Sequence, residues 1–395
     1  MIVPFFTAGA LAATGLLGGD PTSSPKAEDP SSGLLSINLA DNVTMKLFGR
    51  LFIDWGWFSG DDAFGDLHDA TEIRTARLGA SGTLYDEVNY KVEFDLGPDD
   101  GGETAAKDVY IGVKDTPVGE VRVGHFKEPF SLEQLTSSRF ITFMERSVAD
   151  AFVPGRNSGI ALLNNNPSET VTWSLGAFRS TDNQAAGSGN AQYRYSARVT
   201  AVPMIDESGE NLVHVGGSVS YSTDEGARFR AKPESDFLDR PVDTGNLVVD
   251  DTTVLGLEGA WVGGPLSVQG EYNLASTSAA AGGTDGDFSG FYGFVSYFLT
   301  GEHRNYKRTS GAFDRVKPME NWGAGSGALE LAARYSMIDL NDGPSTGEMN
   351  DITVGLNWYL NPNSRVQLNW VRSNVEDGSI DDDADILMVR FQVDF

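Results

Sequence analysis

Hydrophobic positions recur along this chain at every second residue. The closing stretch, Asp385 to Phe395, sets Leu387, Val389, Phe391, Val393 and Phe395 on one parity and Met388, Arg390, Gln392 and Asp394 on the other. A period of two belongs to β-strands, whose successive side chains point to opposite faces. Val88 to Leu96 repeats it most cleanly, with Val88, Tyr90, Val92, Phe94 and Leu96 alternating with Asn89, Lys91, Glu93 and Asp95. Four amide or charged groups cannot share a dry core unpaired, so their face meets water. If the other face meets lipid, the water lies inside.

The same reading places strands at 45–58, 72–84, 88–96, 109–114, 119–126, 158–163, 170–178, 193–201, 212–221, 253–261, 266–274, 290–299, 327–337, 352–360, 365–371 and 386–395. Sixteen is an even number, as a single-chain bacterial barrel needs for its first and last strands to meet antiparallel. The expected fold is therefore all-β, a transmembrane antiparallel β-barrel over residues 43–395. Short links such as 361–364 and long ones around 227–251 and 302–325 predict short turns on a periplasmic rim and long loops on an external one. Trp55, Trp57, Trp261, Tyr297, Trp358, Tyr359 and Trp370 lie near strand ends and suit an interfacial girdle, with a soluble core as the competing place for such rings.

Between Lys127 and Gly155 the alternation stops. Phe130, Leu132, Leu135, Phe140, Ile141, Phe143 and Met144 crowd this insertion and need cover, so it is expected to fold into the barrel and narrow it. A lid over the mouth or a subunit contact is the alternative. Thr136 to Arg146 is compatible with a short helix.

Residues 1–18 form an apolar run too short and glycine-rich for a membrane helix, and read as an export signal without a basic start. Residues 19–42, rich in Pro, Ser and Asp at first, read as a disordered spacer. Mean hydropathy is −0.24, which a membrane protein tolerates only if each spanning element shows lipid one face, as barrel strands do. The net charge of −27 excludes a nucleic-acid partner, which needs a basic footprint. The acidic run 376–385 is either solvated external surface or a place for divalent cations to bridge to lipid. Cysteine is absent, and His68, His125, His214 and His303 show no metal-ligand spacing; no cofactor is expected. Neither a Gly-x-Ser-x-Gly elbow nor a His-Glu-x-x-His helix occurs, so an enzyme is not expected.

The block Gly124 to Ser147, beginning Gly-His-Phe-Lys-Glu-Pro-Phe-Ser-Leu, with Pro154 to Gly159 after it, resembles the phosphate-selective porin family, the porins O and P. Ala76 to Leu84 and Phe298 to Pro318 agree with it. The resemblance implies a trimer of sixteen-stranded outer-membrane barrels, each a passive channel, with the third loop folded inward over about 127–155. Some members pass phosphate through a constriction rich in Arg and Lys. The family's Phe-Lys-Glu-Pro motif falls on Phe126, Lys127, Glu128 and Pro129, but where it often has paired arginines this chain reads Arg74-Thr75. One rung of a basic ladder is missing, which weakens the case for phosphate selectivity.

Lys127, Glu128, Arg139, Glu145, Arg146 and Arg156 are the candidate constriction residues. Lys46, Arg50, Arg77, Lys91, Arg122 and Arg390 are candidate cations of the lumen wall by parity, accompanied by Asp54, Glu93, Asp95 and Asp394. A cationic cluster in a narrow passage favours anions; alternatively the loop's arginines and glutamates pair with one another and pin it. The expected function is passive diffusion of small hydrophilic solutes or inorganic anions across the outer membrane, with weak anion preference at most. The competing class is a surface or adhesion barrel acting through acidic external loops.

Overall fold

A computed structural model describes residues 35–395 apart from 41, 66, 98–103, 188–191, 284, 343–346 and 379. The expected export signal lies outside the described residues, as does most of the spacer. The end of that spacer is a strand, Leu35–Ala40, antiparallel to the first barrel strand with Ile37 opposite Met45. Its Leu35, Ile37 and Leu39 alternate with Ser36 and Asn38, so period two extends upstream of 43.

Sixteen strands close the barrel: β1 (Val43–Gly60), β2 (Ala70–Leu84), β3 (Val88–Asp95), β4 (Ala105–Thr116), β5 (Gly119–Lys127), β6 (Arg156–Asn165), β7 (Val171–Arg179), β8 (Tyr193–Ile205), β9 (Asn211–Ser222), β10 (Leu247–Gly263), β11 (Leu266–Ala279), β12 (Gly286–Phe298), β13 (Ala328–Asp339), β14 (Glu348–Asn361), β15 (Ser364–Asp377) and β16 (Ile380–Asp394). Each pairs antiparallel with the next, and β16 returns to β1 with Val393 opposite Leu51 and Leu387 opposite Trp57. All sixteen expected segments fall on these strands.

Directly opposite residues share a face, so the register sorts the wall into two surfaces. Leu51, Phe391, Leu255 and Leu257 point outward and are exposed, whereas Arg50, Asp54, Glu93, Gln367 and Arg390 point inward and are buried. The outer surface is greasy and the lumen polar, as a bilayer requires. Trp57, Trp261, Tyr297 and Trp370 lie on the outer face and are exposed. Tyr359 does not join that girdle: it sits on the inward parity, and its hydroxyl donates to Glu330 over 2.7 Å.

Three links fill much of the lumen. The β5–β6 link (128–155, loop L3) crosses it. The β9–β10 link (223–246) packs Phe229, Ala231, Leu238 and Val242 against Phe130, Val148 and Phe152 of L3 in one buried cluster. The third, the β12–β13 link around 302–325, does not join the long loops. It leaves the opposite rim, the one with the short turns, and folds inward as a hairpin pairing Tyr306–Lys307 with Ala312–Phe313. Wall side chains hold it there: Arg198 donates to the Gly311 carbonyl at 2.8 Å, and Tyr306 Oη lies 2.6 Å from His214 Nδ1.

The short helix of L3 is also displaced. It spans Leu132–Leu135, capped by the Ser131 hydroxyl on Gln134 N–H at 3.1 Å, and a 3-10 turn follows at Val148–Phe152. The segment between is not helical because the wall takes its carbonyls. Arg365 donates to Ile141 O (2.9 Å) and Asn357 to Thr142 O (2.8 Å).

L3 leans closely on β10, where a Cβ on Gly256 would lie 2.9 Å from the Phe130 ring. Gly256→Leu should cost about 1–3 kcal/mol by overpacking, read as a lower thermal midpoint in detergent. Gly293→Leu is the control, since nothing lies within 4 Å of the added Cβ, and its midpoint should stay put.

Candidate pore constriction

L3 is tied to one side of the barrel. Glu271 of β11 accepts from Leu132 N–H (3.0 Å) and Glu133 N–H (2.6 Å), Asn273 donates to Ala149 O (3.1 Å), and Arg334 of β13 binds Glu133 (3.0 Å). On β16, Gln392 donates to Arg139 O at 3.0 Å. The open passage is thereby pushed off axis, between L3 and the wall of β1 to β8.

Its narrow part is a cavity of about 250 Å³ whose lining includes Arg50, Arg74, Arg77, Lys91, Lys127, Arg139, Arg146, Arg156 and Arg390, with Asp108 and Glu145 as its carboxylates. It adjoins a wider cavity of about 630 Å³ toward the short-turn rim, which shares Asp108, Lys127 and Leu135 with it and adds Lys114, Arg122, Arg198 and Lys307. The sequence-derived residues thus separate. Lys127, Arg139, Glu145, Arg146, Arg156, Arg50, Arg77, Lys91 and Arg390 meet around the narrow cavity. Arg122 lines the wider one, its guanidinium 4.2 Å from the Tyr110 ring centroid. Lys46 is exposed near the start of β1 and lines neither. Glu128 is buried at the root of L3 against the inner wall, accepting from Asn157 at 2.7 Å and from the Ser196 hydroxyl.

Most of these cations are paired, either along the wall or between wall and loop, and among the described residues Arg146 alone pairs within L3 itself. Glu145 accepts from Arg74 (3.0 Å) and Arg390 (2.6 Å); Asp54 binds Arg390 (2.6 Å). Glu93 holds Arg50 (2.7 Å) and Lys91 (2.8 Å), Asp95 holds Arg77 (2.7 Å), and Asp108 bridges Lys91 (2.6 Å) to Arg156 (2.8 Å). Arg139 reaches Asp394 at 3.3 Å and Arg146 reaches Asp150 only at 4.0 Å. With Asp236, 3.3 Å from Arg74, eight carboxylates lie within reach of the nine lining cations among the described residues. Three of the eight are shared with further cations, Asp95 with Lys107, Asp394 with Arg315 and Asp236 with Lys232, so positive charge prevails. Lys127 touches no carboxylate among the described residues; its ammonium donates to the Gln134 carbonyl.

The loop carboxyls register this field. Burial alone would raise Glu145, but Arg74 and Arg390 outweigh it and hold the group at about 2. Desolvation pushes Asp150 up to about 6, because the distant Arg146 and Lys127 offset it only in part.

Arg74 and Asp108 are the residues that alternation missed. The β1–β2 register slips between Phe52 and Asp54, and this bulge turns Arg74 inward although its parity matches the outward Ala76 and Leu78. Asp108 shares the inward parity of Tyr110, but it precedes the expected strand 109–114. A bulge leaves no mark in a parity count; for Arg74 the usable signal was its place just before Arg77-Leu-Gly.

Known proteins share this architecture and sequence. A family model for the phosphate-selective porins O and P matches residues 45–395. Porin O of Pseudomonas aeruginosa is 30% identical over 412 aligned positions, covering 92% of each chain. An uncharacterized protein of Caulobacter vibrioides is 31% identical over 350 positions, covering 83% of this chain and 68% of its own. Among solved structures, the anion-selective porin from Comamonas acidovorans superposes with a TM-score of 0.60 at 15% identity, over 89% of this chain and all of that one. OmpT of Vibrio cholerae gives 0.57 at 14% identity, over 89% and 98%. At those identities the two structures speak for the fold alone. The family match spans the whole barrel and the sequence relative covers nearly the whole chain, so this protein belongs to the phosphate-selective porin O and P family.

Proposed function

We propose that this outer-membrane diffusion channel prefers anions weakly, with its selectivity set where L3 approaches β1 to β6, and that it works as a homotrimer. One observation carries the selectivity: the 250 Å³ passage is lined by nine basic side chains and two carboxylates. Arginine presents a planar fork to an oxyanion and lysine a mobile point charge, and a desolvated passage amplifies both. The preference stays weak because nearly every guanidinium already faces a carboxylate, and because the chain as a whole carries −27. Inorganic anions, phosphate among them, are the solutes this chemistry favours. The trimer rests on family resemblance.

In planar bilayers the protein should open in steady ohmic steps, and a potassium chloride gradient should give a small reversal potential of anion-selective sign. A clear cation-selective sign would overturn the anion preference while leaving the channel. A barrel passing no current would overturn the channel itself and favour a surface role.

A further inference from the structure

L3, the inward hairpin and the short-turn end of β14 to β16 converge on a junction that holds more positive charge than its carboxylates answer. Arg139 and Phe140 of L3, Arg315 just after the hairpin, and Tyr359, Arg365 and Gln392 of the wall line a cavity there of about 10 Å³. Arg365 lies opposite Tyr359 on one side and Gln392 on the other, so the wall supplies one inward row. Arg139 also lines the narrow passage. The junction therefore borders the ion path without being part of its open bore.

Asp394 answers two of the three guanidiniums. Arg315 forks onto it, with one nitrogen at 3.1 Å and the second closer, and Arg139 reaches it at 3.3 Å. The face of Phe140 carries the same two cations, 4.8 and 5.0 Å from its centroid, a contact that steadies them and adds no negative charge. Arg365 makes no ion pair among the described residues. Its Nη atoms donate to the Ile141 carbonyl and to Gln392 Oε1, each at 2.9 Å. Glu330 approaches it through the Tyr359 hydroxyl, which is 3.4 Å from Arg365 and 2.7 Å from Glu330. The Arg365 Nε–H is buried with no acceptor among the described residues, and the residue is 3% exposed. A buried cation without a counter-charge is costly, and so is a buried donor left unmade.

We infer that this junction is a halide site, in which one chloride ion rests against Arg365 and Arg315. A monatomic anion supplies what the protein withholds: negative charge for the unpaired guanidinium and an acceptor for its Nε–H. Size selects the ion. A cavity near 10 Å³ holds one guest about as large as a water molecule, which admits a halide and turns away a tetrahedral oxyanion such as phosphate. The site is thus separate in kind from the wider, cation-lined passage proposed to conduct anions. Its ligands come from L3, the hairpin link and β15, so the bound ion ties the constriction loop and the hairpin to the same stretch of wall.

Bromide is the probe. In crystals of the full-length protein soaked in bromide, anomalous scattering should place a peak in this cavity within hydrogen-bonding reach of Arg365 Nε. In detergent, replacing gluconate by chloride at constant ionic strength should raise the thermal midpoint by about 2 °C or more, and Arg365→Gln should lose that rise. The same variant should keep whatever rise phosphate produces. No anomalous peak in the cavity, with bromide ordered elsewhere in the same crystals, would overturn the site. An Arg365→Gln protein that retains the full chloride response would overturn it as well. Should the variant fail to fold, the bromide peak in the unaltered protein decides. Neither measurement depends on channel current, so a failed halide site leaves the anion preference of the passage standing.

Discussion

Lys127→Glu should cut anion current about tenfold and carry the reversal potential toward cation selectivity. Lys127 sits where the narrow cavity meets the wider one, so each permeating ion passes it. A unit charge about 6 Å away contributes about 0.7 kcal/mol even at the dielectric constant of water. Charge reversal changes two units, about 1.4 kcal/mol, which is about tenfold in a barrier-limited rate. A drier passage enlarges the effect; recruitment of the new carboxylate by Arg146 or Arg156 reduces it. Lys127→Gln should fall between, near threefold. Single-channel conductance in chloride and phosphate, with reversal potentials, provides the measurement. Lys127 is the informative choice because its ammonium faces a carbonyl, so its removal strands no buried carboxylate, unlike its neighbours. Currents unchanged by both substitutions would place the ion path elsewhere.

The alternation of apolar and polar residues made the wall legible, since a strand between lipid and water cannot hide its parity. Val88 to Asp95 and Ile386 to Phe395 declare both faces outright, and the inward assignment of Arg50, Arg77, Lys91 and Arg390 needed nothing more. The inward course of L3 was readable from its uncovered aromatics, Phe130 and Phe143 above all, which finish almost fully buried.

What alternation could not convey was anything set by tertiary contact. Arg74 turns inward through a bulge, and the hairpin around Gly311 enters from the rim of short turns because Arg198 and His214 wait for it on β8 and β9. Glu128 illustrates the same limit. It belongs to the motif that carries the family resemblance, but its carboxylate is spent on Asn157 and Ser196, so it fixes the root of L3 without lining the passage. Pairing partners decide whether a charge serves the field or the scaffold, and they lie far apart in sequence.

Arg390→Met should destabilise the barrel by about 3–5 kcal/mol and loosen L3. The guanidinium is 2% exposed and binds Asp54 and Glu145 at 2.6 Å each, with its plane 5.2 Å from the Phe52 ring centroid. Removing it leaves Asp54 buried without its ion-pair partner, and the penalty of a poorly compensated buried charge supplies most of that cost. Glu145 keeps Arg74 but loses its tie to β16, so the middle of L3 is freed where it narrows the passage, and open-channel current should become larger and noisier. Arg390→Met combined with Asp54→Leu separates the two consequences. The double variant should recover at least half of the lost stability, because the stranded carboxylate is gone, yet keep the noisy current, because L3 still lacks its anchor. Arg372→Met on the outer rim is the calibration: its pairs with Asp383 and Asp385 are solvent-exposed and should be worth under about 1 kcal/mol. Urea unfolding followed by far-ultraviolet circular dichroism, with bilayer recordings of the same preparations, measures both effects. A single variant as stable as Arg372→Met would show that the Arg390 cluster does not hold the loop.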